Sequence, residues 1–265
     1  MLKLYATWFL LICFLFFSCK SKDKENEIDT EKPIQASTPN IQKLENEIKV
    51  DPITHASAII EWEDKTIYVD PTGGSKAFGN KKKPDLVLIT DIHGDHMNID
   101  TLDSLDLSKA SLVVPQAVAE KLPAKYTEQI VILNNDEVKE IQGVPIKAIP
   151  MYNIREEALK YHNKGRGNGY IITLGNKRIY FSGDTEDIPE MRALKRIDMA
   201  FVCMNLPYTM TVESAADAVL EFKPKQVYPY HYRGTEGLSD ISRFKELVSK
   251  DPNIEVVQLD WYPKN

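Results

Sequence analysis

From residue 48 onward the chain is a series of short apolar runs separated by polar turns. The runs are Ala58–Trp62, Thr66–Val69, Leu86–Ile89, Leu112–Val114, Ile130–Leu133, Ile146–Ile149, Tyr170–Thr173, Arg178–Phe181, Met199–Val202, Gln226–Tyr228 and Glu255–Val257. Most are rich in β-branched or aromatic residues and bounded by Gly, Pro, Asn or Asp, which predicts strands. Gly175-Asn176 between two of them predicts a hairpin turn. Toward the C-terminus the apolar period lengthens. Val212, Ala215, Ala216, Val219 and Leu220 share one face of a predicted helix over 212–222, which Thr211 can cap. Phe244 and Leu247 face inward on a second, over 241–249, capped by Ser239 or Asp240. Many strands with a few helices predict an α/β fold of two packed sheets covered by helices.

The N-terminus follows another pattern. Lys3 precedes an uncharged apolar run, Leu4 to Phe17, and Ser18-Cys19 closes it. The run is shorter than the roughly 20 residues of a membrane-spanning helix and suits a secretory signal over residues 1–18. A cysteine after a small residue at that point resembles a bacterial lipobox, although Phe16 stands where Leu is usual. Cleavage before Cys19 would leave a lipidated N-terminus; the alternative is an uncleaved signal anchor. Either way the folded part is expected outside the cytoplasm, tethered to a membrane as a lipoprotein would be. Residues 19–47 are polar and read as a flexible linker, and residues 48–265 as the folded domain. Cys203 is the only cysteine in that domain, which predicts a buried thiol and no disulfide in the mature chain. The net charge of −6 offers no basic surface, so no nucleic-acid partner is expected.

The chemistry gathers at Asp91-Ile92-His93-Gly94-Asp95-His96, directly after the strand predicted at 86–89. Two imidazoles and two carboxylates within one loop, with no thiolate, suit Zn, Mn or Fe. Gly94 is read as permitting a tight backbone path around an ion. The other histidines are His55, His162 and His231.

This run resembles the His-x-His-x-Asp-His motif of the metallo-β-lactamase superfamily, with Asp in the first place. The rest follows in order: Thr54-His55-Ala56-Ser57, Val69-Asp70-Pro71, Phe181-Ser182-Gly183-Asp184-Thr185 and Val227-Tyr228-Pro229-Tyr230-His231. The similarity covers about residues 48 to 262. The His-Ala-Ser opening looks closest to the branch of ascorbate-6-phosphate lactonase-like proteins. The resemblance implies a four-layer αββα sandwich with one or two divalent ions at one edge, Zn foremost and Mn or Fe as alternatives. It implies a metal-activated water acting on a small ester-, lactone- or phosphoester-like substrate. It further implies that His93 serves a first metal, that Asp95, His96 and His231 serve a second, and that Asp184 bridges them. Asp95 or Asp184 would orient the water.

Two departures weaken the first position. Asp91 replaces a histidine, and none lies near Ile149–Asn153, where a third histidine-bearing strand end would fall. Asp91 with either His55 or His162 would complete the position, or only one metal binds tightly. His55 can alternatively orient a ligand. The glycine-rich basic stretch Tyr161–Gly169 reads as a loop closing over an anionic substrate, with Lys164 or Arg166 as anchor, or as a turn feeding the next strand. Tyr152, Asn205, Tyr208 and Arg233 are candidates for the small-molecule pocket. The competing readings are a metal-binding scaffold lipoprotein without catalysis and a di-iron redox relative.

Overall fold

The structure, a computed structural model, describes residues 47–263. The expected signal over 1–18, the lipidation candidate Cys19 and the linker up to residue 46 lie outside the described residues. A three-stranded antiparallel meander opens the fold, β1 (Lys49–Thr54), β2 (Ser57–Trp62) and β3 (Lys65–Val69). β4 (Leu86–Leu88), β5 (Ser111–Val114) and β6 (Ile130–Ile132) continue that sheet in parallel, giving the order β1-β2-β3-β4-β5-β6. The second sheet repeats the plan. β7 (Val138–Ile141), β8 (Val144–Met151), β9 (Gly167–Leu174) and β10 (Lys177–Phe181) are antiparallel. β11 (Met199–Val202), β12 (Gln226–Pro229) and, after the small hairpin β13 (Arg233–Gly234) and β14 (Gly237–Leu238), β15 (Glu255–Val256) follow in parallel. Helices α1 (Gly74–Phe78), α2 (Ile99–Ser104), α3 (Gln116–Ala119), α4 (Pro189–Arg192), α5 (Val212–Phe222) and α6 (Ile241–Val248) complete the chain.

Strand alternation assigns the layers. In the first sheet Ala58, Ile60, Ile67, Val69, Leu86, Leu88 and Val113 join Ile146, Ala148, Tyr170 and Ile172 of the second in one core. Their neighbours Ile59, Tyr68, Val87, Leu112 and Val114 face the other way, onto Phe78 of α1, Leu102 of α2 and Val118 of α3. Ala215 and Val219 of α5 and Phe244 and Val248 of α6 belong to the core cluster of the second sheet. The result is the expected α/β sandwich of helix, sheet, sheet and helix.

The periodic segments fold as their patterns predict. Thr211 accepts from Ser214 N at the start of α5, and Asp240 from Arg243 N at the start of α6. Gly175, at φ 57°, makes the two-residue turn between β9 and β10. Strands β1 and β7 carry no apolar run and went unread. β1 is partly exposed along its length and β7 is exposed at three of its four residues, so neither has a buried face for a pattern to mark.

The sheets are stitched together at the end that carries the candidate residues. Tyr170 donates its hydroxyl to the carbonyl of Ile89 (3.0 Å), and Asn168 N donates to Thr90 O (2.9 Å). Gly167 makes this approach possible, since a Cβ there would stand 2.8 Å from Thr90 O and 2.2 Å from Met151 Cε. The stretch read as a glycine-rich loop is therefore partly strand, and its glycines serve close packing. Among the described residues no helix is long and apolar enough to cross a membrane.

Candidate metal centre

Every candidate ligand sits where a strand of one sheet ends near a strand end of the other. Asp70 follows β3, Asp91–His96 follow β4, Asp184 follows β10 and His231 follows β12. His55 occupies the turn between β1 and β2, and His162 the long connection between β8 and β9. Loops beyond the carboxyl ends of parallel strands are where α/β sheets place their sites. The two ends meet here, so residues far apart in sequence converge.

One group is His96, Asp184 and His231, all buried. His96 Nε2 lies 3.4 Å from Asp184 Oδ2, and His231 Nε2 lies 3.3 Å from both Asp184 Oδ1 and Asp95 Oδ2. The other face of His96 is held. Its Nδ1 is 2.8 Å from Asp70 Oδ2, and Asp70 also accepts from Thr90 N (2.7 Å) and Thr90 Oγ1 (2.6 Å). A proton on Nδ1 donated to Asp70 leaves Nε2 as the ligand atom, the arrangement by which carboxylates orient metal-binding histidines. Sequence reasoning assigned Asp70 no role. Its only signal is the Val69-Asp70-Pro71 step directly after a strand.

The second group is Asp91, His93 and His162. His162 Nε2 is 3.4 Å from Asp184 Oδ2 and 3.9 Å from Asp91 Oδ2, and its Nδ1 lies 3.1 Å from the carbonyl of Tyr208. Asp184 Oδ2 therefore faces both groups. Asp91 is fully buried and already engaged: Arg166 donates to it twice (3.0 and 2.9 Å), and His93 Nδ1 lies 2.8 Å away. His162, brought back by the long loop, places its imidazole beside that of His93, ring centroids 5.2 Å apart. His55 lies on the far side of His231, ring centroids 5.6 Å apart, with its Nδ1 3.4 Å from the hydroxyl of Tyr262. With Asp95 and His231 it forms a third, more exposed group of donor atoms.

A cavity of about 320 Å³ opens onto these groups, lined by His93, Asp95, Tyr161, His162, Asp184, Asn205 and Tyr208. Asn205 and Tyr208 are thus part of its wall, and Tyr152, Lys164, Arg166 and Arg233 are not among the lining residues. Tyr152 and Lys164 both bind Glu190 (2.9 and 2.7 Å), Arg166 is spent on Asp91, and Arg233 lies over the ring of Tyr262. The connection between β8 and β9 is held from behind by the buried Glu186, which accepts from Ile154 N, Arg155 N and Arg155 Nε. A Cβ at Gly94 would meet no protein atom within 4 Å.

Donor chemistry and unmet bonding together show that the residues fit a divalent ion. His96 Nε2, His162 Nε2 and Asp184 Oδ1 are buried with no hydrogen-bond partner, although buried polar atoms are nearly always satisfied. Both nitrogens lie 3.4 Å from Asp184 Oδ2, and Asp184 Oδ1 lies 3.3 Å from His231 Nε2. Tetrahedral donors on bonds of about 2.0–2.1 Å stand about 3.3–3.4 Å apart; the separations across Asp184 are 3.3 to 3.4 Å.

Charge follows the same pattern. Burial opposes ionisation of His96, but Asp184 and Asp70 outweigh it and hold the ring's pKa well above its usual value. Burial likewise opposes a charge on His231, yet Asp184 and Asp95 raise it to about 9. Asp184 is held well below the carboxylate range, since His231 and His96 overcome its burial. His162 and His55 are lowered, chiefly by burial. Filling the centre with a metal therefore means displacing protons from His96 and His231.

The Beta-lactamase superfamily domain matches residues 49–231. The chain belongs to this family. A UPF0173 metal-dependent hydrolase of Pyrococcus horikoshii is 33% identical over 221 residues, 80% of this chain and 96% of the relative. A crystal structure described as a metal-dependent hydrolase from Parabacteroides distasonis is 36% identical, with a TM-score of 0.73 over 81% of this chain and 94% of that one. A metallo hydrolase from Ignicoccus hospitalis shares the fold at 22% identity, with a TM-score of 0.67 over 80% of this chain and 94% of that one.

Proposed function

We propose that the protein is a metal-dependent hydrolase of a small ester, lactone or phosphoester. The observation that carries this reading is the convergence of unpartnered buried ligand atoms around Asp184, open to a cavity of substrate size. His96, His231, Asp95 and Asp184 would hold one ion, and His93 and His162 with Asp184 a second, Zn being the first expectation. Bound there, a divalent ion supplies an activated water and positive charge for a developing oxyanion. The chain's own contributions are positional. Asp70 fixes the ring of His96, and Arg166 fixes Asp91 beside His93. Asp95 stands partly exposed at the cavity, within reach of both His231 and His96, and is placed to orient a water. Asn205 is buried with its Oδ1 bound by Thr209 Oγ1 (2.5 Å), which turns its amide N–H toward His231 and the cavity.

The names of the relatives support hydrolysis, and the full donor set argues against a scaffold that has lost its metal. The finer placement near ascorbate-6-phosphate lactonase-like proteins rests on the His55-Ala56-Ser57 opening. The extracytoplasmic, lipid-tethered location rests on residues 1–19; mass spectrometry of the membrane fraction tests it, and an unmodified, uncleaved N-terminus would refute it. Metal analysis joined to a panel of esters, lactones and phosphodiesters tests the function, with His96→Ala as control. Turnover that depends on bound metal and disappears in the variant is expected. A variant that keeps wild-type metal content would end the reading.

A further inference from the structure

Five large apolar side chains are exposed among the described residues: Val138, Ile154, Leu159, Leu206 and Leu238. Val138 lies on edge strand β7. The other four, 39–53% exposed, stand on three segments that adjoin the candidate centre. Ile154 and Leu159 precede His162 on the connection between β8 and β9; Leu206 follows Asn205; Leu238 closes the hairpin that follows His231. Hydrogen bonds join these segments to one another. Arg155 donates to the carbonyls of Pro207 and Thr209, Asn153 to that of Tyr208, and Thr235 N to that of Leu206. The same segments carry Tyr161 and Tyr208, packed edge to face at 5.1 Å, into the cavity wall.

Four cations near this mouth are paired with other groups, Arg155 with Glu186, Lys164 with Glu190, Arg166 with Asp91 and Arg233 with the face of Tyr262, while Lys160 lies over the ring of Tyr161 at 5.0 Å. The lining contains no lysine or arginine. Beyond the metal groups, then, the lining offers the aromatic surface of Tyr161 and Tyr208, with exposed aliphatic side chains on the same segments. Apolar patches next to a site normally meet the apolar part of a ligand.

We propose that the substrate carries an apolar chain or ring beside the bond that is cleaved, packed on Tyr161 and Tyr208 and continuing over Leu159 and Leu206. This rests on the metallohydrolase reading above and narrows it to substrates with an apolar group next to the cleaved bond.

Hydroxamates bind metal ions directly and separate the two ideas without needing turnover. Calorimetry on the metal-loaded full chain compares acetohydroxamate, hexanohydroxamate and a hydroxamate of equal length ending in a carboxylate. The expected result is binding of all three, with hexanohydroxamate tighter than acetohydroxamate by about tenfold or more and the carboxylate-ended compound gaining less than about threefold. Leu159→Ser and Leu206→Ser should each remove a large part of the chain-length gain, and Val138→Ser should leave it as in the wild type. If acetohydroxamate binds but the apolar chain adds nothing, the proposal is overturned and the metal centre stands. If no hydroxamate binds, the metal reading fails and takes the proposal with it. Sedimentation and flotation with phosphatidylcholine vesicles complete the test. A dimer or a vesicle association that Leu206→Ser abolishes would assign the patch to a second copy or to a bilayer, and overturn the proposal.

Discussion

Asp70 ends the meander of the first sheet, and Asp184 stands just beyond the same point of the second, at the edge of matching parallel strands. Both are buried. Their surroundings differ. Asp70 faces Thr90 and the back of one imidazole, and burial outweighs these partners, so its pKa is raised. Asp184 faces three imidazoles and is held far below the usual range. The same contrast separates His55 from His162. A tight turn leaves His55 at the rim, while the connection over residues 152–166 is long enough to fold back and bury His162. The same step after a strand thus gives a carboxylate that braces one imidazole in the first sheet and a carboxylate that faces three in the second. Loop length and the groups opposite each side chain decide which is which.

The largest test of this contrast is Asp184→Ala. Removing the carboxylate shared by both groups should lower metal affinity by roughly a hundredfold or more, read as metal content after dialysis. Retention of wild-type metal would break the comparison. Arg166→Gln comes next. It leaves the buried Asp91 without its bidentate partner and should cost about 3 kcal/mol in chemical denaturation of the metal-free protein. Asp70→Asn should act on the brace alone, weakening metal binding about tenfold with little change in fold. A hundredfold loss there would make Asp70 equal in weight to Asp184. The smallest expected effect belongs to His55. His162→Ala should weaken one metal equivalent by about tenfold or more, and His55→Ala by less than about threefold. Reversal of that order, in a titration with Co(II), would move the first metal position to the other side of His231.

Much of this was legible beforehand. Local patterns carried the strands from β2 to β6 and β8 to β12, both longer helices with their caps, and the order of Asp91–His96, Asp184 and His231. These depend on periodicity, turn chemistry and motif spacing, all written within a few residues. Strands β1 and β7 escaped because their residues stay partly or largely exposed and form no apolar run. The partners of Arg166 and Lys164, Asp91 and Glu190, lie 75 and 26 residues away, beyond the reach of any local pattern.

By itself, then, the sequence determined the α/β alternation and the kind of chemistry at the centre, because residue types limit which ion and which reaction are possible. Only the tertiary structure chose His162 over His55 for the place beside His93, gave Asp70 its hold on His96 and turned Arg166 inward. Those choices follow from how two sheets meet at one end. Side chains from distant strands come within bonding distance there, and no local pattern records that meeting.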